Sequence, residues 1–260
     1  MAPGAGQAPS FWDDVGAHFP SLKGAVSTAY YLDCERWLFE TYLPKFRDLV
    51  IFKTDLWDEA KNTEILRWAA DHGARPMGVD VSIDVVREAR RVLRDHRPGF
   101  VVGDVRAIPF REGSVDAVYS MGTIEHFVEY AQAVREIYRI VAPGGIAIVG
   151  VPNKLDPFLR PLLVHLLNLV GLYGYGMEKS FTPGALQRLL ESAGFRVTAR
   201  TGILFIPGWL RMLDLWLHTR RSRLTWVAAL PVRLFAWLYR RVPAVRRHGY
   251  LTVCVAQRPD

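Results

Sequence analysis

The strongest constraint in this chain is an alternation. Short runs of β-branched and apolar residues recur, each followed by a stretch with helical spacing. The spacing predicts strands at Leu49–Phe52, Pro76–Val81, Phe100–Val102, Val115–Ser120 and Ile146–Val151. Between them it predicts helices at Thr63–His72, closed by Gly73, and at Ser82–His96, opened by Ser82 as N-cap. A third, Tyr130–Val141, is stopped by Pro143-Gly144-Gly145. Strands joined by helices of this length form parallel βαβ units, and a series of units forms a doubly wound α/β sheet. Ligands of such sheets bind beyond the carboxyl ends of the strands. The residues after each strand are therefore the candidates for chemistry.

Composition narrows the class. The 260 residues are 50% hydrophobic and 23% charged, enough to bury a core without metals or disulfides and too apolar for disorder. Cys34 and Cys254 lie far apart and fit no metal or disulfide spacing, which suits a reducing, cytoplasmic compartment. The start of the chain lacks a charged segment followed by an apolar run, so no signal peptide is expected. The net charge of +7 is local: Arg211–His248 holds nine Arg and one Asp, or +8, and the other 24 basic and 25 acidic residues sum to −1.

After the second strand stands Asp80, followed by Val81. An acidic residue here accepts from a ribose hydroxyl pair, or merely serves as a helix N-terminal carboxylate favoured by the dipole. Gly103-Asp104-Val105 follows the third strand. Its carboxylate can take an exocyclic amine of adenine, between apolar neighbours, or can be a plain turn residue. The fourth strand runs into Ser120-Met121-Gly122-Thr123-Ile124-Glu125-His126. A Glu-His pair facing a crevice suits proton transfer, with His126 as base and Glu125 orienting it. A packed histidine or a capping box at Thr123 is the bland alternative. Asn153, after the fifth strand, closes the far side and is a candidate for substrate contact.

The series GVDVS, GDVRAIPFREGSVDAVYSMGTIEHF and REIYRIVAPGGIAIVGVPN resembles the class I S-adenosylmethionine-dependent methyltransferases, in the ubiquinone-pathway and small-molecule group. KSFTPGALQRLLESAGFRV and HGYLTVCVAQRP resemble that group's helix before the sixth strand and its final strand. The resemblance covers residues 48–200 and 248–258. It implies a Rossmann-like seven-stranded sheet with the last strand antiparallel, and S-adenosylmethionine as cofactor. Asp80 would hold its ribose, Asp104 and Val105 its adenine, and Ser120 and Met121 would pass under its methionine part. The sequence departs from the family in its first loop. The glycine-rich first loop is replaced by Phe52–Asn62, FKTDLWDEAKN, which has no glycine. Glycines there let the backbone approach the cofactor, so the loop must narrow the site or take another route. Two readings remain. Either the loop binds the cofactor by its side chains, Lys53, Asp55, Trp57 and Glu59, with Asp55 or Glu59 meeting the ammonium and Trp57 covering it, or the site is degenerate and the chain is an inactive binding or scaffold protein. The family's metal-type members carry a further Glu where this chain has Gly122, so no metal is expected.

The resulting domain scheme is an N-terminal helical cover at 1–47, a core at 48–202 and 248–260, and a basic, apolar helical insertion at 203–247. Residues 26–46 are predicted helical and would lie over the site, with Tyr30 and Tyr31 as candidate substrate contacts, although a core aromatic pair explains at least one of them. Phe158–Tyr175 is apolar on most faces, broken by Pro161, His165 and Asn168, and the insertion from 203 alternates apolar blocks with the clusters Arg220-Arg221-Arg223, Arg240-Arg241 and Arg246-Arg247. This pattern suits a peripheral contact with the inner membrane face, a plain helical cap, or a homodimer contact; nucleic acid is not expected. The expected acceptor is a hydrophobic small molecule or lipid.

Overall fold

The computed structural model describes residues 9–43, 45–169 and 178–260. Seven strands form one sheet: β1 (Val50–Lys53), β2 (Arg75–Asp80), β3 (Gly99–Val102), β4 (Val115–Met121), β5 (Val141–Pro152), β6 (Arg196–Ile203) and β7 (Leu251–Gln257). Their order is β3-β2-β1-β4-β5-β7-β6, with β7 antiparallel to both neighbours and the other pairings parallel. This is the doubly wound α/β sheet expected from the alternation, in the seven-stranded Rossmann-like form with an antiparallel last strand that the resemblance implies. Strand order reverses between β1 and β4, so the crevice opens where those two strands end.

Helices cover both faces. α1 (Pro9–His18) and α2 (Val26–Tyr42) precede the sheet. α3 (Trp57–Lys61) and α4 (Ile65–Asp71) join β1 to β2, and α5 (Ile83–Val92) joins β2 to β3. α6 (Tyr130–Ile140) leads from β4 to β5. α7 (Arg160–Leu169) and α8 (Pro183–Ser192) lie between β5 and β6, and α9 (Gly208–Thr219) and α10 (Thr225–Arg241) between β6 and β7. One core packs α2, α4, α5, α9 and α10 on one side of the sheet, around Leu38, Phe39, Ile65, Val85, Leu210 and Val232. The other packs α6 and α8 on the opposite side, around Val134, Ile137, Leu186 and Leu190. Among the described residues, no helix is long and apolar enough to cross a membrane.

Local chemistry sets the boundaries. The Ser82 hydroxyl accepts from Val85 N, so α5 starts where the sequence placed it. It ends at Val92, earlier than His96, and a 3-10 turn (Arg94–His96) follows. α4 starts two residues later than Thr63 because Glu64 adopts a left-handed φ of 59°. β5 begins five residues before Ile146: Val141 already pairs with Val115, across a register shift beside Gly144 and Gly145. The Phe158–Tyr175 segment yields α7, and its residues 170–177 lie outside the described residues.

Candidate active site at the carboxyl ends of the strands

The glycine-free stretch runs from a turn into a short helix. After β1, Thr54–Leu56 turns and Trp57–Lys61 coils into α3. Leu56 crosses directly over β2, where a Cβ on Gly78 would lie 2.7 Å from its side chain. The glycine needed for close approach therefore stands in the strand beneath, not in the loop. Leu56 N donates to Asp80 Oδ2 at 2.8 Å, and Ser82 N donates to Asp80 Oδ1 at 2.9 Å. Asp80 thus ties the loop to the end of β2. Burial lifts its carboxyl to about 7, against the lowering pull of those two N–H groups.

Behind this loop lies a buried cluster of charges. Lys53 is fully buried, and its Nζ meets Asp55 Oδ1 at 3.1 Å and Asp58 Oδ2 at 3.2 Å. Burial disfavours its charge, but the carboxylates of Asp55, Asp58, Glu59 and Glu35 outweigh burial and hold it cationic. Asp58 accepts from Asn62 Nδ2, and Asn62 accepts from Thr28 of α2. Glu59 does not reach the crevice. Both its oxygens accept from Leu66 N, at 3.1 and 3.2 Å, so it caps the start of α4; burial raises its carboxyl to about 7. Asp55 stays partly exposed and accepts from Thr123 Oγ1 at 2.8 Å. The Thr54 hydroxyl links Ser120 and Thr123 at 2.9 and 3.0 Å, stitching β1 to the end of β4. Ser120 is fully buried and Met121 nearly so, with the Met121 thioether lying over Gly150.

On the adenine side, Val105 is buried, while Ile83 and Val102 are exposed apolar residues flanking Asp80 and Asp104. Val81, between them, is half-buried. Asp104 already has a partner in Arg106, whose Nη2 donates to it at 2.6 Å and whose backbone N donates at 2.8 Å. Burial opposes ionisation of Asp104, but Arg106 holds its carboxyl below the usual range. Arg106 also pairs with Glu129 and lies 4.8 Å from the Phe127 ring.

α1 spans the mouth. Asp13 Oδ1 accepts from Ile83 N at 3.1 Å, at the end of β2, and the Trp12 ring meets the His126 ring at 5.2 Å, at the end of β4. Phe19 packs on Trp57 at 5.1 Å. The half-buried His126 lies under this cover. Glu125 is buried, and burial followed by the Glu178 charge pushes its carboxyl well above the usual range. Arg160, which pairs with Glu178 at 2.7 Å, pulls the other way.

The two tyrosines separate. Tyr30 faces away from the crevice: its hydroxyl donates to Phe205 O and its ring meets Tyr239. Tyr31 is buried among the charges of Asp58, Glu35, Arg211 and Asp55. The Arg211 guanidinium sits 5.3 Å from the Tyr31 ring and 5.5 Å from that of Tyr250, and Arg160 lies 4.1 Å from the same Tyr250 ring. Asn153 is spent on structure, with Nδ2 donating to Gly249 O and Oδ1 accepting from Leu155 N. Sequence reasoning missed Glu35, a fully buried residue of α2 whose Oε1 accepts from Tyr119 OH at 3.0 Å. Its signal was present: Ser27, Thr28, Tyr31, Glu35 and Leu38 form one buried helical stripe, and Glu35 is its only carboxylate. It also missed Arg211 and Arg106, whose partners are set by long-range packing and by a two-residue turn.

The residues present fit a nucleoside-bearing cofactor with a cationic amino-acid tail. A part-buried carboxylate ends β2, exposed apolar side chains flank it, and the partly exposed carboxylate of Asp55 stands at the crevice.

Residues 62–149 match a family described as Methyltransferase domain. A probable S-adenosylmethionine-dependent methyltransferase of Mycolicibacterium smegmatis is 31% identical over 145 residues, which cover 54% of this chain and 50% of that one. The demethylmenaquinone methyltransferase of Thermus thermophilus is 30% identical over 143 residues, 48% of this chain and 65% of that one. The chain therefore spans between half and two thirds of these two relatives. A solved S-adenosylmethionine-dependent methyltransferase from Thermotoga maritima superposes with a TM-score of 0.63 over 96% of this chain and all of that one, at 14% identity, which speaks for the fold alone.

Proposed function

We propose that this chain, which belongs to the class I S-adenosylmethionine-dependent methyltransferase family, transfers a methyl group to a hydrophobic small-molecule or lipid-like acceptor. The observation that carries the reading is Asp80, held by two backbone N–H groups at the carboxyl end of β2, beside the point where strand order reverses. When bound, S-adenosylmethionine supplies an electrophilic methyl on a sulfonium. Everything else falls to the chain's own residues, and most of it is positioning.

Asp80 takes the ribose hydroxyls. Ile83, Val102 and Val105 supply apolar contact for the adenine, and Asp104 shares its carboxylate between Arg106 and the exocyclic amine. Ser120 and Met121 form the floor under the methionine part, and Asp55 faces its ammonium, with Trp57 beside it. Lys53 does not bind the cofactor. Its ammonium meets Asp55 at 3.1 Å and Asp58 at 3.2 Å and holds the Asp55 side chain in place at the crevice.

On the acceptor side, Tyr31, Arg211 and Tyr250 form an aromatic wall with a guanidinium within it. A hydroxyl acceptor gives up its proton to His126, the base nearest the end of β4. Burial and the Glu178 charge favour the neutral form of the Glu125 carboxyl, which then orients His126 as a neutral partner rather than as a counter-charge. The likeness to demethylmenaquinone methyltransferase supports an apolar acceptor. Such an acceptor calls for work at a membrane surface on the cytoplasmic side, and residues 203–247 are the segment suited to that contact.

Calorimetric titration with S-adenosylmethionine tests the reading. Micromolar binding that disappears in Asp80→Ala is the expected outcome. No binding at millimolar cofactor would overturn it.

A further inference from the structure

Three neighbouring helices carry apolar stripes that the fold leaves uncovered. On α9, Trp209, Met212 and Trp216 recur at intervals of three and four and are each half or more exposed. On α10, Trp226, Leu230, Leu234 and Trp237 do the same. On α7, Leu162, Leu166 and Leu169 repeat the pattern. The segments that lead into α7 and α9 meet α10 at one aromatic cluster, where the Phe158 ring touches Phe205 and Phe235 at 5.1 and 5.6 Å. α9 and α10 pack on each other and on α2, so their inner faces are accounted for: Leu210 and Leu217 of α9, and Ala228, Val232 and Ala236 of α10, are buried. The outer stripes are additional apolar surface, far beyond the scattered exposed residues of an ordinary surface.

Charge decides what fits them. Arg220, Arg221 and Arg223 are exposed in and beside the α9–α10 connection, and Arg240, Arg241 and Arg247 are exposed at the far end of α10 and just beyond it. Among the described residues, the carboxylate bridge in this group is that of Arg240 with Asp33. The one acidic residue of the segment, Asp214, is buried and accepts from Ser27 N, so it neutralises nothing outside. Tryptophan and leucine in a central stripe, with exposed arginine at both ends of α10 and at the carboxyl end of α9, are the chemistry of a surface that enters headgroups and meets lipid phosphates. A second copy of this chain would bring the same uncompensated positive charge to the contact.

We infer that the outer face of α9 and α10, continued by α7, seats this protein on an anionic lipid bilayer. The inference stands apart from methyl transfer, since it needs neither the cofactor nor the crevice. α9 nevertheless joins the two: Trp209, Met212 and Trp216 face outward while Arg211, between them in sequence, lies against the Tyr31 ring beside the crevice. A bilayer on the outer side places lipid one helix thickness from the acceptor wall.

The test is sedimentation of the full chain with vesicles of phosphatidylglycerol and phosphatidylcholine, and with vesicles of phosphatidylcholine alone. The expected result is strong binding to the first, weak binding to the second, partial release by high salt, and a blue shift of tryptophan emission on binding. Two variants follow, both confined to exposed positions. Trp216→Ser with Trp226→Ser and Trp237→Ser should lose the emission shift and most of the binding. Arg220→Gln with Arg221→Gln and Arg223→Gln should weaken binding to the anionic vesicles about a hundredfold. Far-ultraviolet circular dichroism and calorimetry with S-adenosylmethionine run on each variant, so that a failed fold or a failed cofactor site reads differently from a failed membrane face. Absence of binding to both vesicle types overturns the inference. So does a dimer in light scattering that the tryptophan variant converts to monomer without any vesicle binding in the parent.

Discussion

Asp80 shows how one carboxyl can serve fold and ligand together. Its two oxygens accept from Leu56 N and Ser82 N, and burial raises its carboxyl to about 7. Ribose hydroxyls donate best to the ionised form, so cofactor binding favours loss of its proton. Affinity for S-adenosylmethionine should therefore weaken as pH falls below about 7, by up to about tenfold per pH unit. Calorimetry at several pH values checks this, and the slope should vanish in Asp80→Asn. A flat profile in the parent would mean that Asp80 is already ionised or does not meet the ribose. At this scale the sequence was readable wherever a side chain's role is local. Ser82 caps the helix it precedes, and Asp80 ends the strand it belongs to. It was unreadable where the role is assigned across the fold. Glu59 lies in an acidic run with Asp58, yet it turns inward because Leu66 N, seven residues on, needs an acceptor. Glu35 meets Tyr119 from 84 residues away, and spacing cannot reveal such a partner.

The elements of the sheet were legible for a physical reason: strands buried on both faces read as short apolar runs, and the helices between them carry a clear amphipathic period. α3 was not legible because five residues, Trp57–Lys61, are too few to show a period. The junction of β6 and β7 depends on a residue whose importance the sequence also conceals. A Cβ on Gly249 would collide with the backbone nitrogen, carbonyl carbon and oxygen of Ile203. Asn153 Nδ2 donates to Gly249 O, and Tyr250 N donates to Leu204 O, so β5, β6 and β7 are all fastened at this point. Backbone cannot swing aside as a flexible side chain can. Gly249→Ala should therefore cost about 1–3 kcal/mol or more of stability, read as a lower urea midpoint at unchanged slope. It should also shift Tyr250, and with it the Arg160 and Arg211 side chains stacked on its ring. An unchanged midpoint would mean that the β6–β7 junction relaxes without strain.

At the scale of the whole molecule, the buried acids set how stability depends on pH. Asp80 and Glu59 are raised to about 7 by burial, and Glu35 and Glu125 are also raised, burial again leading. In the unfolded chain such groups titrate near 4. Between about pH 4 and 7 the folded state therefore holds protons that the unfolded chain has released, and stability falls as pH rises through that window. Lys53 adds to the trend at the alkaline end. Its folded value lies above the unfolded one, so its contribution is complete below the unfolded value and is lost as pH rises through the folded one. Asp104, Glu88 and Glu136 act oppositely, because arginine partners hold them below their usual values; their contribution is lost only as pH falls through those depressed values, under about 4. The two sets leave a maximum near pH 5, more acidic than for a protein whose carboxylates are paired at the surface. Urea unfolding at about pH 5.5 and about pH 8 should give the higher midpoint at the acidic value. A midpoint that rises toward pH 8 would mean that Glu35 and Glu59, beside Lys53, have lost their protons in the folded state. S-adenosylmethionine should narrow the gap between the two pH values, since it binds the form that has lost the Asp80 proton and adds stability to the folded state where that form prevails.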